Sequence, residues 1–118
     1  MQVLLPEDAE YLVYAMAQSC ADVPYAARVG IAAVILNRVE DDRFPDTAAE
    51  VVSTWDAFDI RDPHPIPDTE YRLCRDAYEA ASAGADPTCG ALNFATFEEN
   101  LILDSPTYTI IIDNTAFW

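Results

Sequence analysis

Eight consecutive residues, Val29 to Leu36, carry no polar side chain. Pro24 stands shortly before this run and Asn37-Arg38 follow it directly. Proline favours the first helical position, so the segment reads as a helix that opens at Pro24 and closes at Asn37 and Arg38. A helix that is apolar all round has to be covered on every side. It cannot be covered by lipid, because spanning a bilayer takes about 20 apolar residues. The rest of the chain, 118 residues in all, must therefore wrap around one central buried helix. That length supplies one core and one domain, residues 1–118.

The flanking segments supply the wrapping. A first helix is expected from Pro6, with Glu7, Asp8 and Glu10 at the dipole's positive end and Leu12, Val13, Met16, Ala17 and Cys20 at helical spacing. Glu40-Asp41-Asp42-Arg43 reads as a solvated loop. Thr47 and Glu50 have capping-box spacing and open a short third helix ending near Trp55. Asp59 to Pro67 is too rich in proline for regular structure. A fourth helix is expected from Asp68 to Ser82, with Tyr71, Cys74, Tyr78 and Ala81 on one face and Gly84 at its terminus. Asp86 to Gly90 is a turn, Leu92 to Thr96 and Tyr108 to Ile112 read as strands, and Asp113-Asn114 is a turn candidate. Helices followed by a small C-terminal antiparallel sheet make an α+β order.

Charge narrows the partners. Asp and Glu total 21 against 6 Arg, with no Lys, for a net charge of -15. Neutralising phosphates takes clustered cations, so nucleic acid is excluded, as is docking on an anionic membrane. An Asp-rich, Lys-free surface suits high salt or solubility, and it repels other polyanions at low ionic strength. Arg43 and Pro45 interrupt Asp41, Asp42 and Asp46, and no EF-hand spacing appears. Cys20, Cys74 and Cys89 lack any metal spacing; one disulfide plus a free thiol, or three reduced thiols, both fit. A Ser-His or Cys-His pair would have to use His64, the only histidine, in the Asp62-Pro63-His64-Pro65 loop. No metal and no cofactor is expected. Met1 to Pro6 lacks the basic n-region of a signal peptide.

Several blocks together resemble a known family. Pro24-Tyr25, then Val29 to Val39, resembles the central helix of the SleB-type cell-wall hydrolases, the spore-cortex-lytic family. Arg43-Phe44-Pro45-Asp46-Thr47 with Val51-Val52 is similar to that family's next loop and helix. Trp55 to Phe58 sits where the family carries Gly-Gln-Phe, and Pro87 to Phe94 resembles its Pro-Thr-x-Gly-Ala-Leu-x-Phe strand. Asp113 to Trp118 resembles its closing Gly-Asn-His-x-Phe strand. The resemblance implies a lysozyme-like, mostly helical fold, a peptidoglycan glycan strand as partner, and an extracellular or wall-associated setting. It also implies lytic transglycosylation, in which one glutamic acid protonates the glycosidic oxygen and the sugar's own hydroxyl attacks. One carboxyl then suffices where other glycosidases use two.

The polar positions depart from that pattern. Counting back from Pro24 puts the family's catalytic glutamate on Ser19, its second glutamate on Val23 and the intervening glycine on Asp22. The closing histidine falls on Thr115, and the glutamine before Phe58 on Ala57. No Glu lies between Glu10 and Glu40, so fine alignment does not restore the acid. An alcohol is too weak an acid to protonate a leaving oxygen at neutral pH. Two readings are open: lost chemistry with glycan or protein binding through the remnant groove, or Asp22 as a substitute acid. Asp22 equally suits the N-cap of the second helix, and Ser19 a helix C-terminus satisfying backbone groups. By the resemblance, Phe58, Asn93, Phe94 and Thr115 are the candidate substrate-binding residues, with a core role for Phe94 the alternative. Tyr71 and Tyr78 read as core or flank, and Trp118 as a terminal aromatic closing the core.

Overall fold

The structure is a computed structural model that describes residues 6–19, 23–55, 58, 65–96, 110–112 and 115–118. Four helices precede three short strands: α1 (Pro6–Ser19), α2 (Tyr25–Glu40), α3 (Ala48–Ser53), α4 (Asp68–Ser82), β1 (Phe94–Thr96), β2 (Ile110–Ile112) and β3 (Thr115–Phe117).

α2 is the central element that its composition demands. Ala27 through Ile35 are all buried, as is Val39. α4 packs most extensively on α2, and α1 rests on α4 and α3. Pro24 is the N-cap rather than the first helical residue: its extended ψ of 157° turns the chain, and its carbonyl accepts the Arg28 N–H at 3.0 Å. The other end also differs from expectation. Val39 is buried, so the helix continues to Glu40, and Asn37 and Arg38 turn their side chains to a distant segment instead of stopping it.

The remaining boundaries have local causes. Thr47 caps α3, its hydroxyl accepting the Glu50 N–H at 3.2 Å. α3 ends at Ser53, short of Trp55, where the Thr54 hydroxyl bonds back to the Glu50 carbonyl at 2.7 Å. α4 closes in a Schellman motif, with Gly84 N–H on the Ala81 carbonyl and Ala85 N–H on that of Ala80. Gly84 takes the required positive φ of 116°.

The described strands form an antiparallel sheet in the order β1-β3-β2. Ile112 pairs with Thr115, so β2 and β3 are separated by residues 113–114, the turn candidate, which lie outside the described residues. β1 begins at Phe94, but Leu92 and Asn93 still bond the Trp118 backbone and extend the pairing. Phe117 is wholly buried and Trp118 is 43% exposed, so Phe117, not the terminal tryptophan, closes the core. Strand alternation sends the residue after Phe117 to the opposite face. Phe117 lies directly on α2: a Cβ at Gly30 would sit 2.6 Å from its Cζ. The Val29–Leu36 run thus uses its glycine to let the sheet approach.

Candidate functional site

The end of α2 organises the site. Asn37 donates through Nδ2 to the Ala91 carbonyl at 3.0 Å and to Asp86 Oδ2 at 3.2 Å. Arg38 donates through Nε to the Leu92 carbonyl at 2.6 Å and through Nη2 to Asn93 Oδ1 at 2.9 Å. Two adjacent helix residues therefore hold a segment 49 to 55 positions away. The Arg38 guanidinium also stacks on Trp55, 3.4 Å from the ring centroid, and lies over Phe44 at 4.4 Å. Burial holds its pKa below the usual arginine value.

Asp86 locks the turn that leads into β1. It accepts from the Thr88 N–H at 3.0 Å, the Gly90 N–H at 2.8 Å, the Thr88 hydroxyl and Asn37. Thr88 in turn accepts the Ala91 N–H at 3.2 Å, while Cys89 and Gly90 adopt positive φ. Burial would raise the Asp86 pKa, but these hydrogen bonds outweigh it and hold it below the ordinary aspartate value. A depressed folded-state pKa stabilises the fold above about pH 4, and that contribution is lost as pH falls through the folded value. Asp86→Asn should therefore flatten the acid limb of stability. The check is the urea midpoint of both proteins between neutral pH and pH 3; parallel curves would refute the lock.

Around this clamp the structure gathers some of the expected residues. Phe58 and Phe94 meet at 5.7 Å between ring centroids, and Trp55 packs edge-on against both, at 5.3 and 5.1 Å. Asn93 and Phe94 are half-buried. Phe58 is 5% exposed and Thr115 is fully buried in β3, so both lie in the packed interior. Ser19 is the last residue of α1 and half-buried. Asp22, Ala57 and His64 lie outside the described residues, and with Asp22 the N-cap expectation, a position that Pro24 fills. Val23 is buried, and its carbonyl accepts from Arg28 Nε at 2.6 Å.

The remaining reactive groups differ in their surroundings, and Cys20 lies outside the described residues. Cys74 and Cys89 carry free thiols; Cys74 is buried and Cys89 exposed. Burial pushes the Cys74 thiol up despite the adjacent Arg28, which leaves it neutral at ordinary pH. Asp41 is engaged by Arg43 at 2.9 and 3.0 Å, and that pairing lowers its pKa to about 2. Among the described residues no group of three or more His, Cys, Asp or Glu is placed to hold a metal. Among them, too, no helix is long and apolar enough to cross a membrane.

Sequence reasoning missed the clamp. Asn37 and Arg38 read as a helix terminus, yet they are the side chains on which the 86–93 segment is built. The Asp86-Pro87-Thr88 pattern was the available signal, because aspartate two residues before a backbone N–H makes an Asx turn. The cell wall hydrolase family model matches residues 22–118. The chain belongs to this family. Two solved structures are similar along nearly the whole cell wall hydrolase domain. The catalytic domain of the Bacillus cereus SleB protein has 26% identity and a TM-score of 0.70, covering 99% of this chain and 93% of its own. The catalytic domain of the germination-specific lytic transglycosylase SleB from Bacillus anthracis has 24% identity and a TM-score of 0.67, covering 99% and 98%. No curated protein gives a significant match. The expected α+β, lysozyme-like arrangement is thus the fold of SleB catalytic domains.

Proposed function

We propose that this cell wall hydrolase domain holds a peptidoglycan glycan strand beside the C-terminal end of α1 without cutting it. The observation that carries the reading is that α1 ends on Ser19, which, counted back from Pro24, falls where the resemblance expects the family's acid. Lytic transglycosylation, the activity named for the Bacillus anthracis relative, needs a carboxylic acid kept protonated near neutral pH. A serine hydroxyl does not ionise in that range. Among the described residues the two carboxyls whose pKa is displaced, Asp41 and Asp86, are displaced downward, opposite to what an acid catalyst needs. The framework that would grip a strand is nevertheless in place. Half-buried Asn93 and Phe94 would touch the sugar, and Phe58 and Thr115 would support them from beneath. Family membership supplies peptidoglycan as the ligand.

The test compares the natural protein with Ser19→Glu on purified peptidoglycan, by sedimentation and by mass spectrometry of released muropeptides. The natural protein should sediment with peptidoglycan, more completely at higher salt, and release no anhydromuropeptides. Ser19→Glu should release them at least about a hundredfold above that background, the usual worth of a general acid. Release by the natural protein would overturn the reading and move the acid to Asp22, which Asp22→Asn would then abolish. Failure to sediment would favour a protein partner for the groove.

A further inference from the structure

The N-terminal half of α1 and the middle of α4 form a second surface. Tyr11, Tyr14 and Tyr71 line an open groove between these helices, with Glu7, Glu10 and Arg75. Glu10, Val13 and Arg75 also line an adjoining hollow, which carries the surface on to Tyr78 and Glu79. The four tyrosines are half-buried, and Tyr11, Tyr71 and Tyr78 pack against the core. Tyr11 and Tyr14 lie 6.1 Å apart at 58°. The rings are therefore pre-placed, and binding on them costs little conformational entropy. Glu7, Glu10 and Glu79 are exposed, so among the described lining residues three carboxylates face one cation, Arg75.

This charge balance selects the occupant. A second copy of the chain would bring another net charge of -15 and be repelled, as would any anionic partner. A cationic side chain gains from the carboxylates and from the tyrosine faces together. We propose that the α1–α4 groove docks a lysine- or arginine-bearing segment of a partner protein. The acidic end of the groove is set apart from the glycan site: on α1 Glu10 precedes Ser19 by nine residues and Tyr14 precedes it by five, about 13 Å and about 7 Å along the axis. Its α1 wall also lies outside the region matched by the family model, which begins at residue 22. The inference does not depend on the glycan-binding reading.

The probe is a fluorescent amphipathic peptide with leucine on one helical face and lysine on the other, and a counterpart with every lysine replaced by glutamate. Three variants are compared: Glu10→Gln with Glu79→Gln, Tyr14→Ala alone, and, as a charge-matched control, Asp42→Asn with Asp46→Asn. The natural protein should bind the lysine peptide and not its counterpart. The glutamate pair should weaken binding about tenfold and Tyr14→Ala about fivefold, with less than about a twofold change for the control. The glutamate pair should change peptidoglycan sedimentation no more than the charge-matched control does. Equal loss in the groove and control variants would overturn the proposal, because it would reveal attraction to the whole acidic surface. So would absence of peptide binding, or displacement of the peptide by neutral chito-oligosaccharides, which would make the tyrosines a sugar platform.

Discussion

Replacing Arg28 by alanine should lower stability by about 3 kcal/mol and the Tm by about 12 °C. Arg28 is 3% exposed on the central helix and sits 2.8 Å from Glu70 Oε2 of α4. It also donates to the Val23 carbonyl at 2.6 Å and to Cys74 Sγ at 3.4 Å. Burial alone would push its pKa down, but pairing with Glu70, aided by Cys74, outweighs that and holds it above the usual arginine value. The guanidinium is thus charged throughout the accessible pH range. Truncating it strips Glu70 of its counter-ion, the Val23 carbonyl of this donor, and the α2–α4 contact of its volume. The loss belongs to the orphaned carboxylate more than to the pair itself, since desolvating two charges offsets much of their attraction. Arg28→Leu combined with Glu70→Leu should accordingly fall within about 1 kcal/mol of the natural protein. Urea unfolding with an unchanged m-value is the measurement. A single-variant loss below about 1 kcal/mol would show that the pair holds nothing together.

The sequence carried the parts of this fold whose causes are local. The Val29–Leu36 run predicts a covered helix because no polar side chain interrupts it, and the structure buries Val29 to Ile35 and half-buries Leu36. Thr47, three residues before Glu50, predicts a cap because the bond closes within one turn. The end of α4 is local in the same way, because Gly84 takes positive φ and its N–H closes on the Ala81 carbonyl. What escaped depends on partners far along the chain. Arg28 meets a thiol 46 positions on, and Asn37 and Arg38 meet backbone 54 positions on, distances at which no periodicity operates. The terminal aromatics were legible as a pair but not in their division of labour, since which one enters the core depends on the β3 register. Of the candidate site, Ser19 as the proposed occupant of the acid position rests on a count from Pro24 alone, whereas the burial of Phe58 and Thr115 required the packed sheet.

The contact between Gly30 and Phe117 gives the second large effect, and its signature is a reversal of sign. Phe117→Ala should cost about 3–5 kcal/mol, because the ring is fully buried and lies across α2. The strands are three residues each and could not persist without that anchor. Amide exchange in 94–96 and 115–117 should therefore accelerate more than exchange in α4. At position 30 two terms compete. Alanine in mid-helix is favoured over glycine by about 1 kcal/mol, whereas a methyl placed 2.6 Å from the Phe117 ring forces overpacking worth about 1–3 kcal/mol. The ring is held on the sheet side by Phe94, 6.4 Å away, and has little room to yield, so the clash prevails. Gly30→Ala should destabilise the natural protein by about 1 kcal/mol. In the Phe117→Ala background the obstacle is gone, and the same change should stabilise by about 1 kcal/mol. A Gly30→Ala effect of one sign in both backgrounds would mean that the glycine serves the helix and not the docking of the sheet.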